Sequence, residues 1–378
     1  MLKDNTYLGS GEFNKLERLV EKYNPTKIFL VTGDKSYVKT GIKSRIEKIL
    51  SSKEYFRHYN FSSNPKLKDI VKGVQKFHLF NTDLIIGVGG GSVMDTAKLL
   101  SVLPPEAEVI KEIITGKRKT PSRKVPFIVI PTTAGSGSEA THFAVAYVEG
   151  TKYSVASEFL YPDWCILDPD LTRTLPHRQK MISAFDAFSQ AVESYWAAGG
   201  TSSSREYAAE SIKLILKIYP ELLKKPSGEI RAAMMKASHL SGRAINISKT
   251  TCAHALSYTL TSRYGIAHGY AVILILSFLF KKHIEASENR IVEGLDYSSH
   301  KKRMSELCKL MGTSSGQSSA DKIKSMVRKA GFDTKLRNLG VNKENLNMVA
   351  DKVNPERLKN NPVLFTKKEL RSIIYSIW

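Results

Sequence analysis

The chain has 378 residues, about 2.5 times the roughly 150 residues of a typical domain, so two domains are the first expectation. Lysine plus arginine outnumber aspartate plus glutamate by 57 to 36, a formal net charge of +21, while 42% of residues are hydrophobic and 9% aromatic. That balance supports a packed core and excludes disorder, a collagen-like fibre and a small disulfide-stapled scaffold.

The first part of the chain alternates helix and strand. Residues 13–23 have helical periodicity, and Lys27 to Val31 is a short apolar run closed by Thr-Gly-Asp. A second helix is expected over 64–77. A second strand runs from Asp83 to Val88, with a helix over 93–100, and a third from Val125 to Ile130, stopped by Pro131. Strands separated by helices imply a parallel sheet covered on both faces. After about residue 175 helical periodicity takes over, with helices expected over 180–195, 203–223, 229–247 and 271–285 and loops near 311–319 and 354–362. The expected organisation is an α/β dinucleotide-binding domain over 1–175 and an all-helical domain over 176–378.

The N-terminal stretch MLKDNTYLGSGEF lacks the apolar core of a leader peptide. The longest apolar run, Ala271 to Phe280, is about half a membrane span, which points to a buried helix. The three cysteines, Cys165, Cys252 and Cys308, are far apart and form no CxxC pair, a pattern of a reducing compartment and not of a zinc ribbon. The expectation is a soluble cytoplasmic protein without a membrane partner. The basic clusters, such as Lys301-Lys302-Arg303, are dispersed and not interleaved with aromatics. A solvated surface, or attraction of an anionic small molecule, therefore explains the charge better than nucleic acid.

Two loops carry a ligand signal. Gly87-Val88-Gly89-Gly90-Gly91-Ser92 joins a strand to a helix, where small residues let backbone N–H groups and the helix dipole approach a phosphate. It is neither a Walker loop nor the usual GxGxxG. A second loop, Pro131-Thr132-Thr133-Ala134-Gly135-Ser136-Gly137-Ser138-Glu139, also leaves a strand and offers four hydroxyls. Two such loops in one parallel sheet suit a pyrophosphate and riboses lying across strand ends.

Asp186 and Gln190, four residues apart, share a helix face. His254 and His268 are 14 residues apart. On one straight helix they would be separated by about 21 Å, so the chain has to turn between them, at Tyr264-Gly265-Ile266, for both to meet one ion. Spacing alone leaves each histidine open to a structural or a ligating role.

GGGSVMDTAK, PTTAGSGSE, Asp168-Pro169-Asp170-Leu171 with Pro176, and Ala253-His254-Ala255-Leu256-Ser257 through Ala267-His268-Gly269 occur in the order found in the iron-containing (group III) alcohol dehydrogenases. Over essentially its whole length the chain resembles that family. The resemblance implies a dehydroquinate synthase-like architecture with a nucleotide-binding α/β domain and a helical metal-binding domain. It implies a metal-dependent NAD(P)H-linked alcohol dehydrogenase or aldehyde reductase that uses Fe2+ or Zn2+, acts on a small molecule and assembles as a homodimer. By position, Gly89, Gly90, Gly91, Ser92 and Asp95 would serve the pyrophosphate loop, and Thr132, Thr133 and Ser136 would line the nicotinamide end. Lys152 would reach a ribose, Leu171 would sit by the cofactor, and Asn64 matches a cofactor-contacting asparagine. Asp186, Gln190, His254 and His268 would occupy the metal-ligand positions. Gln190 departs from the family's usual histidine. Tyr258 stands where many members carry another histidine, so Tyr258 and His268 are the catalytic candidates.

Cofactor choice turns on Gly33, where NAD-preferring members carry an acid. Its lack of charge, with Lys35 and Ser36 nearby, leans to NADPH, while Asp34 one residue on keeps NADH open. Within the family the chain most resembles the phosphonoacetaldehyde reductases, through Glu139 to Val145, Asp186 to Ser194, Lys249-Thr250-Thr251 and Asn354 to Pro362 (NPERLKNNP). An anionic substrate fits the cations and hydroxyls His142, Lys249, Thr250, Thr251 and Arg263, with Arg205 as a further cation. A short-chain alcohol or diol dehydrogenase of the same family, and an NAD- and metal-dependent lyase or cyclase of the dehydroquinate synthase type, are the alternatives.

Overall fold

The computed structural model of the chain describes residues 5–378. Contacts divide it into one unit of residues 1–176 with 227–239 and a second of 177–226 with 240–378.

In the first unit the elements are β1 (Thr6–Leu8), α1 (Lys15–Tyr23), β2 (Lys27–Thr32), α2 (Lys35–Lys39), α3 (Ile42–Ile49), β3 (Glu54–His58), α4 (Leu67–Leu79) and β4 (Leu84–Gly89). They continue with α5 (Gly91–Val102), α6 (Ala107–Ile114), β5 (Phe127–Pro131), β6 (Phe143–Val148), β7 (Thr151–Ala156) and β8 (Trp164–Leu167). Six strands form one parallel sheet in the order β1-β8-β5-β4-β2-β3. The three strands anticipated from sequence lie inside it, and each is built on a buried, largely apolar run, Ile28 to Val31 in β2, because helices cover both faces. β4 begins one residue after Asp83, whose carboxylate accepts from the backbone N–H groups of Thr26 and Lys27 at the start of β2.

The unanticipated strands are short or polar. β1 has three residues, and the edge strand β3 reads Glu-Tyr-Phe-Arg-His. β6 and β7 form a separate antiparallel hairpin whose two-residue turn, Glu149-Gly150, has φ of 51° and 78°. Positive φ at both turn positions matches the right-handed twist of the flanking strands. β6 alternates buried and half-buried residues, the period of a one-sided strand.

The second unit is helical: α7 (His177–Trp196), α8 (Ser202–Leu222), the end of α9 (Gly228–Ser248), α10 (Cys252–Tyr264), α11 (His268–Ile284), α12 (Tyr297–Met311), α13 (Gly316–Lys329), α14 (Leu346–Asp351), α15 (Pro355–Leu358) and α16 (Lys367–Ser376). α11 is buried from Gly269 through Ser277, which accounts for its apolar run. None of the described helices is long and apolar enough to cross a membrane. The two loops expected in this half are shorter than anticipated. Ser315 accepts from the Ser318 N–H and starts α13 early, and Asn354 accepts from the Glu356 N–H and starts α15.

Candidate active site: a phosphate cradle and a metal cluster

In the first unit β4 and β5 are neighbours, with Gly89 in register with Pro131, so the two glycine loops leave the sheet side by side. The Thr132 N–H donates to the Gly89 carbonyl at 2.9 Å. A Cβ on Gly90 would lie 3.4 Å from Thr133, and one on Gly91 would lie 2.9 Å from Ser136 Oγ. The missing side chains let the second loop close on the first. Gly90 precedes α5 and offers no side-chain cap, which leaves the helix start for an anion. Ser92 donates to the Ser63 carbonyl, which draws the Asn64 segment to the same loop.

Asp95 and Lys98, one turn apart on α5, hold the second loop from below. Asp95 accepts from Ser138 Oγ at 2.7 Å and from the Val145 N–H at 3.1 Å, and burial raises its pKa. Lys98 is fully buried and donates to the carbonyls of Ser138, Thr141 and Phe143 and to the Thr141 hydroxyl. Burial pulls its pKa down to about 8 against the opposing charge of Asp95.

Lys152 lies on β7 opposite Tyr147. Leu171 is 3% exposed in the core cluster with Phe13 and Ile166. His142 sets its ring edge-on to Phe143.

Gly33 follows β2, the strand on the other side of β4, and a Cβ there would meet Ser36 Oγ at 2.3 Å. The Lys35 side chain lies outside the described residues. Arg57 on β3, which sequence reading missed, donates to Thr32 Oγ1 at 2.9 Å and to the Gly33 carbonyl at 3.0 Å. Its guanidinium lies 4.3 Å from the Tyr37 ring centroid and 4.1 Å from that of Tyr59.

In the second unit α7 presents Asp186, Gln190 and Glu193 on one face. α10 ends at Tyr264, and Gly265 at φ 65° turns the chain so that α11 starts at His268. The rings of His254 and His268 are thereby brought to 5.3 Å between centroids. Asp186, His254 and His268 each offer a ligand atom within 4.8 Å of the others. Asp186 Oδ1 and His254 Nε2 are buried, face each other at 3.5 Å and make no hydrogen bond to any other group among the described residues. Such buried polar atoms are costly unless something binds them. One carboxylate and two imidazoles suit a divalent first-row ion, so the residues fit the metal the family implies. Gln190 Oε1 accepts from Ser241 Oγ at 3.1 Å.

Sequence reading also missed what positions this cluster. Glu193 accepts a hydrogen bond from His254 Nδ1–H, from Thr251 Oγ1 at 2.6 Å and from the Ala253 N–H at 2.8 Å. Trp196 Nε1 donates in turn to Thr251 Oγ1 at 2.9 Å. A carboxylate on Nδ1 fixes the tautomer that leaves Nε2 for an ion. The signal was present, since Glu193 is seven residues from Asp186 and so on its face. Gly269 is the second omission: a Cβ there would fall 2.3 Å from the Ile182 carbonyl oxygen and 2.8 Å from Asp186 Cβ.

Tyr258 lies parallel to the His268 ring at 5.9 Å between centroids and hydrogen-bonds with Thr250. Burial raises its pKa and the nearby Arg357 opposes the rise, which leaves a protonated phenol. Lys249 is exposed, with φ of 61°. Arg263 is also exposed and contacts Met348 Sδ, and Arg205 donates to the Gly200 carbonyl.

A parallel sheet with a two-loop phosphate cradle and a helical unit with a carboxylate–imidazole–imidazole cluster define a nucleotide-using metalloenzyme. Residues 4–169 match the family described as iron-containing alcohol dehydrogenase, and residues 180–378 match the C-terminal domain of the Fe-containing alcohol dehydrogenase family. Long-chain-alcohol dehydrogenase 1 of Geobacillus thermodenitrificans is 28% identical over 97% of this chain and 93% of its own length. The phosphonoacetaldehyde reductase of Streptomyces viridochromogenes is 31% identical over 55% of each chain. The crystal structure of sulfoacetaldehyde reductase from Bifidobacterium kashiwanohense in complex with NAD+ superposes with a TM-score of 0.88 at 25% identity, covering 100% of this chain and 97% of that one. The chain belongs to the iron-containing alcohol dehydrogenase family. It is an oxidoreductase acting on alcohols, and its cofactors are those of that family, a nicotinamide dinucleotide and a divalent metal.

Proposed function

We propose that this enzyme reduces a small aldehyde bearing a tetrahedral oxyanion, phosphonoacetaldehyde first among them, at the expense of NADPH or NADH. The observation that carries the chemistry is the convergence of three ligand atoms, from Asp186, His254 and His268, within 4.8 Å of one another, with Asp186 Oδ1 and His254 Nε2 buried and making no hydrogen bond to any other group among the described residues. When bound, the nicotinamide supplies hydride and the divalent ion polarises the carbonyl. Asp186, His254 and His268 would hold the ion, and Glu193 holds His254 in the tautomer that leaves Nε2 free for it. The protonated Tyr258 hydroxyl, bonded with Thr250, is a proton source for the oxygen of the reduced product. Gly89 to Ser92 and Thr132 to Ser136 would cradle the dinucleotide, and Asn64, Lys152 and Leu171 would add to its site. Gln190, on the same face of α7 as Asp186, would add a neutral carbonyl oxygen where the family usually has histidine. Thr251 supports Glu193, while Lys249 and Arg263 add positive charge to this segment.

The anionic substrate is supported by two of the proteins similar to this chain, which by name act on phosphonoacetaldehyde and sulfoacetaldehyde. The similar long-chain-alcohol dehydrogenase favours the second reading, an uncharged alcohol or aldehyde. A homodimer in the cytoplasm is the proposed setting. The test follows reduced-nicotinamide absorbance with phosphonoacetaldehyde and butanal, each with NADPH and NADH. A kcat/KM for phosphonoacetaldehyde at least tenfold above that for butanal is expected, with NADPH preferred. Faster turnover of butanal would establish the second reading and leave the dehydrogenase assignment standing.

A further inference from the structure

The segment Asn354 to Pro362 is a strap tied down near its C-terminal end. Asn354 caps α15, and Pro355 opens it. The Asn360 side chain donates to the carbonyls of Ser248 at 2.7 Å and Thr250 at 3.0 Å and accepts from the Gly199 N–H at 3.0 Å. The Asn361 side chain accepts from the Cys252 N–H at 3.4 Å and donates to the Val363 carbonyl. These bonds fix the strap to the two turns that lead into α8 and α10.

The strap presents Arg357. Its guanidinium lies 5.9 Å from the Tyr258 ring centroid, and Tyr258 in turn stacks on the candidate ligand His268. Arg357 is half-buried, yet among the described residues its guanidinium makes no ion pair and no hydrogen bond. The carboxylates nearest in sequence are committed elsewhere, Glu356 to Lys359 and Asp351 to Arg371. A half-buried guanidinium on a tethered strap, with no anion of its own, is placed to take an oxyanion, because its planar fork of donors matches one in two-point contact. Lys249 and Arg263, by contrast, are exposed.

We infer that Arg357 is the specificity residue of this enzyme, binding the phosphonate or sulfonate of a two-carbon aldehyde whose carbonyl faces the metal cluster beyond Tyr258. The inference rests on the proposed aldehyde reductase reading and deepens it by assigning the group that recognises the anion.

The test uses the metal-loaded enzyme with phosphonoacetaldehyde, sulfoacetaldehyde and butanal, and the variants Arg357→Ala, Arg357→Met and Arg357→Lys. Arg357→Ala and Arg357→Met should each lower kcat/KM for both anionic aldehydes roughly 30-fold or more, chiefly through KM. Butanal, which carries no anion, should lose far less than either anionic aldehyde, and Arg357→Lys should fall between. Calorimetric binding of 2-hydroxyethylphosphonate should weaken by a similar factor, with metal content unchanged. Equal losses on butanal and the anionic aldehydes, or unaltered phosphonate binding, would overturn the role of Arg357 while the reductase reading stands. A wild-type enzyme that prefers butanal and binds no 2-hydroxyethylphosphonate would overturn the anionic-substrate reading itself.

Discussion

At the scale of single residues, Glu193 decides what His254 can do. Replacing Glu193 with Gln removes the negative charge that holds the Nδ1 proton while keeping the shape. Outer carboxylate partners of this kind typically contribute 10- to 100-fold to metal affinity. Glu193→Gln is therefore expected to weaken binding by about that factor in competition with a chelator, and Gln190→His to strengthen it. In the metal-free protein, burial opposes the charge on His254, but Glu193 and then Asp186 outweigh it and raise its pKa from 6.5 to about 9. The ion has to displace that proton, so apparent affinity should fall about tenfold per pH unit below about 9. The same shift stabilises the metal-free fold. Because the folded pKa lies above the unfolded one, the contribution is complete below about 6.5 and is lost as pH rises through about 9. Thermal melts of chelator-treated protein across that range should show the decline, and Glu193→Gln should flatten it.

Between elements, glycines set the approach distances on which both halves of the machinery depend. At Gly269 the atoms that a Cβ would strike, the Ile182 carbonyl, Asp186 N and Asp186 Cβ, belong to α7 itself and cannot rotate away. Gly269→Ala must push α11 from α7, at a cost of about 1–3 kcal/mol for such overpacking. It should also carry His268 away from Asp186, so loss of both metal and thermal stability is expected. Gly265→Ala is the contrasting control. Nothing lies within 4 Å, and only the positive φ is strained, at about 1–2 kcal/mol. Gly91→Ala meets Ser136 at 2.9 Å and should weaken NAD(P)H binding, read by fluorescence titration, with metal content intact.

For the whole molecule, acid is the vulnerable direction. His58 in the first unit has its pKa lowered to about 4, first by burial and then by the charge of Lys76. In the second unit burial and the neighbouring His300 drive His283 well below the ordinary 6.5, and burial lowers His300 as well. Both ring nitrogens of His283 are buried, with the Asn361 side chain the polar group that acts on the ring, and the ring stands edge-on to Trp196 at 4.2 Å. Each of these histidines takes up a proton on unfolding. Their contribution is therefore present above about 6.5 and is lost as pH falls toward and through about 4. The net charge of +21 adds self-repulsion as carboxylates protonate. His283→Phe keeps the aromatic contact and removes one titration. It is expected to raise the melting temperature between pH 4 and 6 and change it little above pH 7.

What the amino-acid sequence determined by itself was local and periodic. Continuous apolar runs marked β2, β4 and β5, glycine and hydroxyl clusters marked the two loops, and 3.6-residue periodicity marked the long helices of the second half. The motifs in order named the family. The short strands β1 and β8 were hidden because three or four residues carry too little pattern, and the Glu149-Gly150 turn gave a weaker hairpin signal than Asn-Gly or Asp-Gly. Spacing showed that His254 and His268 needed a turn between them, but not that the turn would set their rings 5.3 Å apart. That distance depends on Gly269 packing against α7. The tertiary structure alone decided the partners of buried polar groups: Glu193 on His254, Asp95 and Lys98 on the second loop, and Arg357 beside Tyr258, about 100 residues away in the chain. Periodicity reports which face of an element is buried. Which polar atoms from distant segments meet there depends on the packing of whole helices and strands, a long-range property that no local window of residues contains.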